Sequence, residues 1–274
     1  MPELPEVETI VRDIRPALVG RQLGRVSLSH DDILRGVTRR RLLRGLRGST
    51  VQSVFRRAKH AVLDFGERRL VVQPGMTGSL IVYDRALRAD EARYAVLRAR
   101  LDDGRELVYR DVRRIGKLLL LDPRGWTRYT EAIGPEPLAP DFTPERLGET
   151  LRGSRQAIKK VIMDQRHLAG VGNIYANEAL FAAGIDPSKA AHRLTPDQHR
   201  RLHAELQRIL RAAIASSGTT VRDYRTGTGQ SGTFQLELLA YGREGESCRR
   251  CGTRLTGTRA IDGRITVFCH RCQS

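Results

Sequence analysis

Two sets of residues, one near each end of the 274-residue chain, have types and spacings that can do chemistry. Near the carboxyl end, all four cysteines stand as Cys248-x-x-Cys251 and Cys269-x-x-Cys272. Each pair suits a tight turn that offers two thiolates, and a hairpin between the pairs would join the turns into one tetrahedral zinc site. Asp262-Gly263 supplies the hairpin signal, with strands expected over 258–261 and 265–268. Two disulfides or a redox-active pair fit less well. Nothing at the amino end resembles a signal peptide, and the cysteines are confined to one corner of a long chain. A site of four thiolates is closed, so this single zinc ion is expected to hold shape and not to catalyse. His270, between two of the ligands, reads as a bystander.

The other end begins Met1-Pro2-Glu3-Leu4-Pro5-Glu6. Loss of an initiator methionine before so small a residue leaves Pro2 as a terminal secondary amine. Such an amine titrates near pH ~8, and the positive end of a following helix lowers it further. It can add to an aldehyde-level carbon to give an iminium ion, an electron sink that opens the way to elimination at the next carbon. Glu3 is close enough to move protons at the same carbon, and Glu6, one turn on, can organise the amine. The same residues also read as a plain helix cap with acids at its favourable end. Taken alone, they leave both readings open.

Charge points to the partner. Lys and Arg total 48 against 31 acids, a net charge of +17, and a polyanion is the first candidate. The basic residues cluster at Arg39-Arg40-Arg41 with Arg44 and Arg47, at Arg56-Arg57 with Lys59, and at Arg110, Arg113, Arg114 and Lys117. Guanidinium groups suit phosphate oxygens, so binding should depend steeply on salt. Lys59 reads as a phosphate contact or general acid, or as an ordinary surface lysine. Met76, in a glycine-flanked turn, can wedge between bases or fill core. Arg113 with Ile115 can enter the space left by an extruded base, or be a solvated arginine beside a core isoleucine. His199 and His203 lack a third ligand, there is no HExxH, and glycine-rich phosphate motifs are absent, which counts against a nucleotide-dependent enzyme.

The elements that must position these residues are mixed α+β. Residues 1–20 read as a helix with Pro5 in its first turn and Val7, Ile10, Ile14 and Leu18 as its apolar stripe. Short β-type runs follow at 26–28, 51–55, 61–65, 70–73, 94–101, 107–109 and 117–121, the pattern of an antiparallel sandwich or barrel. Asp122-Pro123-Arg124-Gly125 breaks that pattern, and the proline-rich 134–140 stretch reads as a linker. Helices are then expected over 144–151, 156–164, 174–181 and from the Thr195–Gln198 capping box to about 215. The 226–233 stretch is too rich in glycine and serine to pack and reads as a loop, over a site or inert. No apolar run approaches the ~18–20 residues of a spanning helix, and a cytosolic protein is expected.

Motifs across nearly the whole chain resemble the bacterial formamidopyrimidine-DNA glycosylase family, also called MutM. They are MPELPEVET, Arg57-Ala58-Lys59, PGMTG around Met76, DVRRIG from Asp111, LAGVGNIYANEALF from Leu168, YGREGESCRRCG and the terminal GRITVFCHRCQ. Leu4 favours this branch over the related endonuclease VIII branch. The resemblance implies that Pro2 forms a Schiff base with C1' of an extruded nucleotide, with Glu3 as its acid/base partner. It implies that Lys59 contacts phosphate beside the lesion and that Lys159 and Asn173 bind phosphate from a helix-two-turn-helix module. Arg264 of the zinc finger would grip the flanking phosphates, and Met76 and Arg113 would fill the vacated duplex space. Residues 219–233 correspond to a lesion-capping loop. One departure is plain: Ile115 stands where the family usually has phenylalanine, and Val112 where it has proline.

The chain is therefore expected to be a bifunctional glycosylase/AP lyase, removing 8-oxoguanine and formamidopyrimidines from duplex DNA by β,δ-elimination. Rivals are a damage-binding paralogue of weak activity, an oxidised-pyrimidine glycosylase and a general zinc-finger DNA binder. The expected division is a catalytic domain of helix plus antiparallel β-sandwich (1–133), a helix-two-turn-helix domain (134–240) and a zinc-finger hairpin (241–274). The expected partner is double-stranded DNA with oxidised bases or abasic sites, bound by a monomer at the bacterial nucleoid.

Overall fold

Pro5 lies in the first turn of helix α1 (Leu4–Leu18), where its missing N–H leaves no bond unmade. Val7, Ile10, Ile14 and Leu18 form the expected stripe, all essentially fully buried. This computed structural model describes residues 2–220 and 224–274; Met1 and residues 221–223 of the expected capping loop lie outside the described residues.

In chain order, α1 is followed by β1 (Leu23–Leu28), α2 (Arg39–Leu46), β2 (Ser53–Arg57), β3 (His60–Asp64), β4 (Arg69–Gln73) and β5 (Gly78–Tyr83). Next come α3 (Ala89–Arg93), β6 (Ala95–Leu101), β7 (Glu106–Asp111), β8 (Lys117–Leu121) and α4 (Pro123–Glu131). Then follow α5 (Pro144–Arg152), α6 (Ile158–Met163), α7 (Asn173–Ala183), α8 (Pro196–Ala215), β9 (Thr256–Thr258) and β10 (Thr266–Phe268). By packing, the chain falls into two units, Met1–Glu131 with Ser216–Thr233, and Ala132–Ala215 with Phe234–Ser274.

The first unit holds two four-stranded antiparallel sheets, ordered β1-β6-β7-β5 and β2-β3-β4-β8. Alternation decides what each face meets. Leu70 and Val72 of β4 and Ala61 and Leu63 of β3 share one core with Leu97, Ala99, Leu107 and Tyr109 of the other sheet. Ile10, Ile14 and Leu18 of α1 join that core, as do Leu42 and Leu46 of α2. The opposite face of the second sheet is also covered: Trp126 of α4 meets Phe55 edge-on, with ring centroids 5.7 Å apart.

The second unit is built around α7, which is buried almost all round through Ile174, Tyr175, Ala176, Ala179, Leu180 and Phe181. The capping box of α8 is present, Gln198 N donating to Thr195 Oγ1 and Thr195 N to Gln198 Oε1. Phe181 also belongs to the small core of the cysteine hairpin, with Leu255 and Val267.

Four elements were not among those expected: β5 and the helices α2, α3 and α4. The stretch from Asp122 is a helix start as well as a strand end, because the Asp122 carboxylate accepts from Gly125 N and Pro123 takes the first helical position. The hairpin strands are also displaced, to 256–258 and 266–268. Turn chemistry prevails over β-propensity there: Gly263 N donates to Arg259 O, and the Asp262 carboxylate accepts from Arg264 N.

Candidate active site and metal centre

In the first unit, Pro2 is buried and Glu3 is the N-cap of α1. Glu3 N donates to Glu6 Oε2 at 2.8 Å, and the reciprocal half of the capping box is also present. The other oxygen of Glu6 accepts from Thr219 N at 2.7 Å. Glu6 thus joins the start of α1 to the segment after α8, which explains why the 216–233 stretch packs with the first unit. Gly218 has φ +82°, and a Cβ there would lie 2.9 Å from Glu6 Oε1, so both conformation and close approach favour glycine. The Tyr224 hydroxyl donates toward Glu6 O and Ser217 O, and burial pushes its phenol well above the ordinary range.

The loop expected to be unable to pack does pack, with Thr226 only 3% exposed and Gly232 N donating to Thr220 Oγ1. A Cβ on Gly227 would lie 2.6 Å from Asp13 Cβ and 2.9 Å from Ile10 O, so the loop rides directly against α1. Its glycine permits close approach, a use that composition alone does not separate from flexibility.

Lys59 occupies the two-residue turn between β2 and β3, closed by the Arg57–His60 pair. Arg56 draws this turn toward α1, donating to Glu8 Oε2 at 3.1 Å. Ala58 has φ 52°, a conformation that glycine adopts at less cost. His60 secures the turn: Nδ1 must donate to the Arg57 carbonyl, at 3.0 Å, which leaves Nε2 to accept from the Tyr129 hydroxyl at 3.1 Å. Lys59 itself is buried, 8% exposed.

Met76, Arg113 and Ile115 are brought to two adjoining exposed turns, with Arg113 Nη1 3.6 Å from Met76 Sδ. The residue that joins these turns was missed in the sequence. Asp111 is 1% exposed. Its Oδ1 accepts from the Thr77 hydroxyl and Arg113 N, and its Oδ2 from Gly116 N and the Tyr109 hydroxyl. Gly75, at φ +67°, and Gly116 give the turns room, since a Cβ on Gly116 would fall 1.9 Å from the Tyr109 hydroxyl. The signal available in the sequence was an acid at a strand end, just before a turn.

In the second unit, Lys159 and Asn173 converge on the Ile265 carbonyl, beside exposed Arg264, at 3.3 Å and 3.1 Å. Lys159 Nζ also donates to Thr266 Oγ1 at 2.7 Å and lies 3.5 Å from Asp262 Oδ1, so its ammonium anchors the hairpin tip. Two further residues do comparable work. Asn177 Oδ1 accepts from Val267 N, and the Glu178 carboxylate accepts from Leu239, Ala240 and Tyr241 N at 2.7–2.9 Å. Burial raises the Glu178 carboxyl although those three donors pull it down.

Cys248, Cys251, Cys269 and Cys272 present sulfurs that all lie within 4.8 Å of one another, an arrangement that could hold a metal ion. Two of the separations, 3.5 Å and 4.0 Å, bracket the ~3.8 Å edge of a tetrahedron with metal–sulfur bonds of about 2.3 Å. Gly252, at φ +75°, closes the first turn by donating to Cys248 O. The Thr253 hydroxyl lowers the Cys251 thiol to about 6, whereas the hydrogen bond with Cys251 and burial hold Cys272 up at about 12. His270 is exposed.

Two family profiles match the chain. The formamidopyrimidine-DNA glycosylase N-terminal domain covers residues 1–118, and the H2TH domain of the same enzymes covers 133–225. A formamidopyrimidine-DNA glycosylase of Stutzerimonas stutzeri is 44% identical over the full length of both chains. That of Thermomicrobium roseum is 43% identical, over all of this chain and 99% of its own. Among solved structures, wild-type Lactococcus lactis Fpg (MutM) in complex with a DNA containing N7-benzyl-Fapy-dG superposes with a TM-score of 0.89, at 32% identity and full coverage of both chains. The complex of Lactococcus lactis Fpg with an abasic-site-containing DNA also gives 0.89, again at 32% identity and covering 99% of each chain. The chain belongs to the formamidopyrimidine-DNA glycosylase family.

Proposed function

We propose that the chain is a DNA glycosylase and AP lyase that removes oxidised purines, 8-oxoguanine and formamidopyrimidines, from duplex DNA. Its nucleophile is the Pro2 amine, exposed once Met1 is removed. The observation that carries this reading is the capping box of α1, which buries Glu3 and Glu6 beside Pro2 at the positive end of the helix. That field lowers the proton affinity of the amine. The amine attacks C1' of an extruded nucleotide, the N–C1' bond forms, and the glycosidic bond breaks as the base leaves with a proton from solvent. Glu3 takes the proton given up by the amine nitrogen and passes it to the ring oxygen as the C1'–O4' bond breaks, which gives the iminium ion; loss of a C2' proton to Glu3 then expels the 3' phosphate, and a second elimination expels the 5' phosphate. Glu6, with both oxygens held by backbone N–H groups, positions the helix start rather than moving protons. Lys59 meets the phosphate beside the lesion.

Met76, Arg113 and Ile115 enter the space left by the extruded nucleotide, which offsets an unstacking cost of roughly a few kcal/mol. Lys159, Asn173 and Arg264 hold the backbone at the hairpin tip. One zinc ion on the four cysteines fixes that hairpin and takes no part in the reaction. The enzyme works in the bacterial cytoplasm; among the described residues no helix is long and apolar enough to cross a membrane.

Borohydride reduction with an 8-oxoguanine duplex tests the core of the reading. Wild-type protein, its intact mass showing loss of Met1, should give a covalent adduct at Pro2. Pro2→Gly should trap at most weakly, and Glu3→Gln should lose excision. A processed, metal-loaded wild type that gives no adduct on oxidised or abasic duplex refutes the proposal.

A further inference from the structure

Several arginines of the first unit are ion-paired, among them Arg39 with Asp31, Arg56 with Glu8, Arg69 with Asp64, Arg98 with Glu106 and Arg105 with Asp103. Among those that are not, four stand together. Arg40, Arg41 and Arg44 of α2 and Arg68, in the turn before β4, are all exposed, and among the described residues none makes an ion pair. Residues 33–63 contain no acid at all.

The fold gathers these charges instead of dispersing them. Arg41, Arg44 and Arg68 line a cavity of about 330 Å³ in which Asp122 is the one acid, and an oxygen of Asp122 is already accepting from Gly125 N. Gly45 makes the gathering possible: a Cβ there would lie 2.6 Å from Leu120 Cδ2 and 3.5 Å from Arg68 Nη1. Its absence lets α2 settle on β8 and lets the Arg68 guanidinium lean over the helix. Arg40 and Arg44 are four residues apart, and Arg41 and Arg44 three, so like charges share one helical face at an electrostatic cost that a bound anion would remove.

The position of the cluster separates it from the site around Pro2. β4 and β8 are paired with Arg69 opposite Leu121 and Gln73 opposite Lys117. Arg68 and Asp122 therefore leave one end of these strands, while the turns bearing Met76 and Ile115 leave the other. The strands separate them by roughly 13 Å at about 3.3 Å per residue.

We propose that α2 and Arg68 form a second, sequence-independent site for the phosphate backbone of duplex DNA, occupied by a segment separate from the one that carries the lesion. Exposed guanidinium groups without counter-charges match phosphate oxygens and carry no base-reading contacts. A chain so equipped holds an undamaged segment while the lesion site releases or searches another. The proposal requires DNA as the partner but not Pro2 as the nucleophile.

The test counts lesion-free duplexes of about 12 base pairs bound per chain at low salt, by sedimentation with labelled DNA. Three proteins are compared: wild type, a patch variant (Arg40→Gln, Arg41→Gln, Arg44→Gln and Arg68→Gln), and a charge-matched control at exposed arginines elsewhere (Arg25→Gln, Arg100→Gln, Arg152→Gln and Arg193→Gln). Wild type and control should bind two duplexes and the patch variant one, with equal melting temperatures for all three. With about four phosphates neutralised, the second binding step should weaken about 100-fold between about 50 and 200 mM salt. Saturation of wild type at one duplex, or equal stoichiometry for patch variant and control, overturns the proposal. Borohydride trapping on lesion duplex is read in parallel and should be unchanged in the patch variant. Failure of trapping in wild type strikes the Pro2 reading and leaves the stoichiometry to decide this one.

Discussion

Ile115 is 43% exposed in a turn tied down by Asp111, beside Met76 and Arg113. An isoleucine can wedge into a duplex, but it has no ring to stack on the base opposite the lesion. Ile115→Phe should therefore change damage interrogation more than covalent chemistry. Single-turnover excision on 8-oxoguanine opposite different bases should shift between variants, while trapping on a preformed abasic site stays the same; equal changes in both refute it. The same residue shows how far reading by type can go. The four cysteines stood out by spacing alone, whereas Pro2, Glu3, Met76, Arg113 and Ile115 were open to ordinary readings and were grouped through the family motifs that contain them. Asp111 and Glu178 were not singled out, because their partners lie far away in the chain or on backbone N–H groups, which a sequence does not mark.

At the level of elements, these buried carboxylates tie turns to the framework. Asp111→Asn would place an amide donor against the N–H groups of Gly116 or Arg113, costing about 2–3 kcal/mol for the unsatisfied buried group. Thermal unfolding should show that loss, and excision of a damaged base should fall more than cleavage at an abasic site. In the second unit, Glu178→Ala would strip three N–H groups of their acceptor, at about 3 kcal/mol or more, and should loosen the segment that leads into the cysteines. A release assay for bound metal under mild denaturant reads that effect. Acid weakens the first unit at a different carboxylate. Glu91, beside Arg85, is held down at about 2 from its ordinary 4.5, so its stabilising contribution is complete above 4.5 and is lost as pH falls toward 2. Glu91→Gln should flatten the stability-versus-pH curve of the first unit in that window. Elements with amphipathic periodicity or paired caps, such as α1 and α8, were legible from sequence. Helix α4 was not, because Asp122-Pro123 is read equally well as the end of a strand. Nor was the true hairpin register, because local side-chain bonds at Asp262 and Thr258 outbid the β-propensity of the run between them.

At the scale of the whole molecule, net charge and a metal on the four cysteines would govern different terms of one binding energy. The charge of +17 acts through released counterions, so affinity for any duplex should fall steeply and linearly on a log–log salt plot. A metal on the four cysteines would act through order. Lys159 and Asn173 reach the hairpin at Ile265, and Arg264 is carried on the same tip, but the hairpin's own two strands are three residues each and its core is small. So short a ribbon is marginal without a cross-link, and a dication on four sulfurs is the cross-link available. Stripping the metal with a chelator should release about one zinc per chain and expose four reactive thiols. It should also weaken duplex binding and reduce the salt slope by about one for each phosphate that the disordered tip no longer neutralises. The sandwich should keep its melting transition, because its core contains none of these cysteines. Readdition of zinc should restore affinity and slope together. Full binding by a metal-free protein with four titrated thiols would mean that the second unit grips the DNA backbone without needing the ordered hairpin.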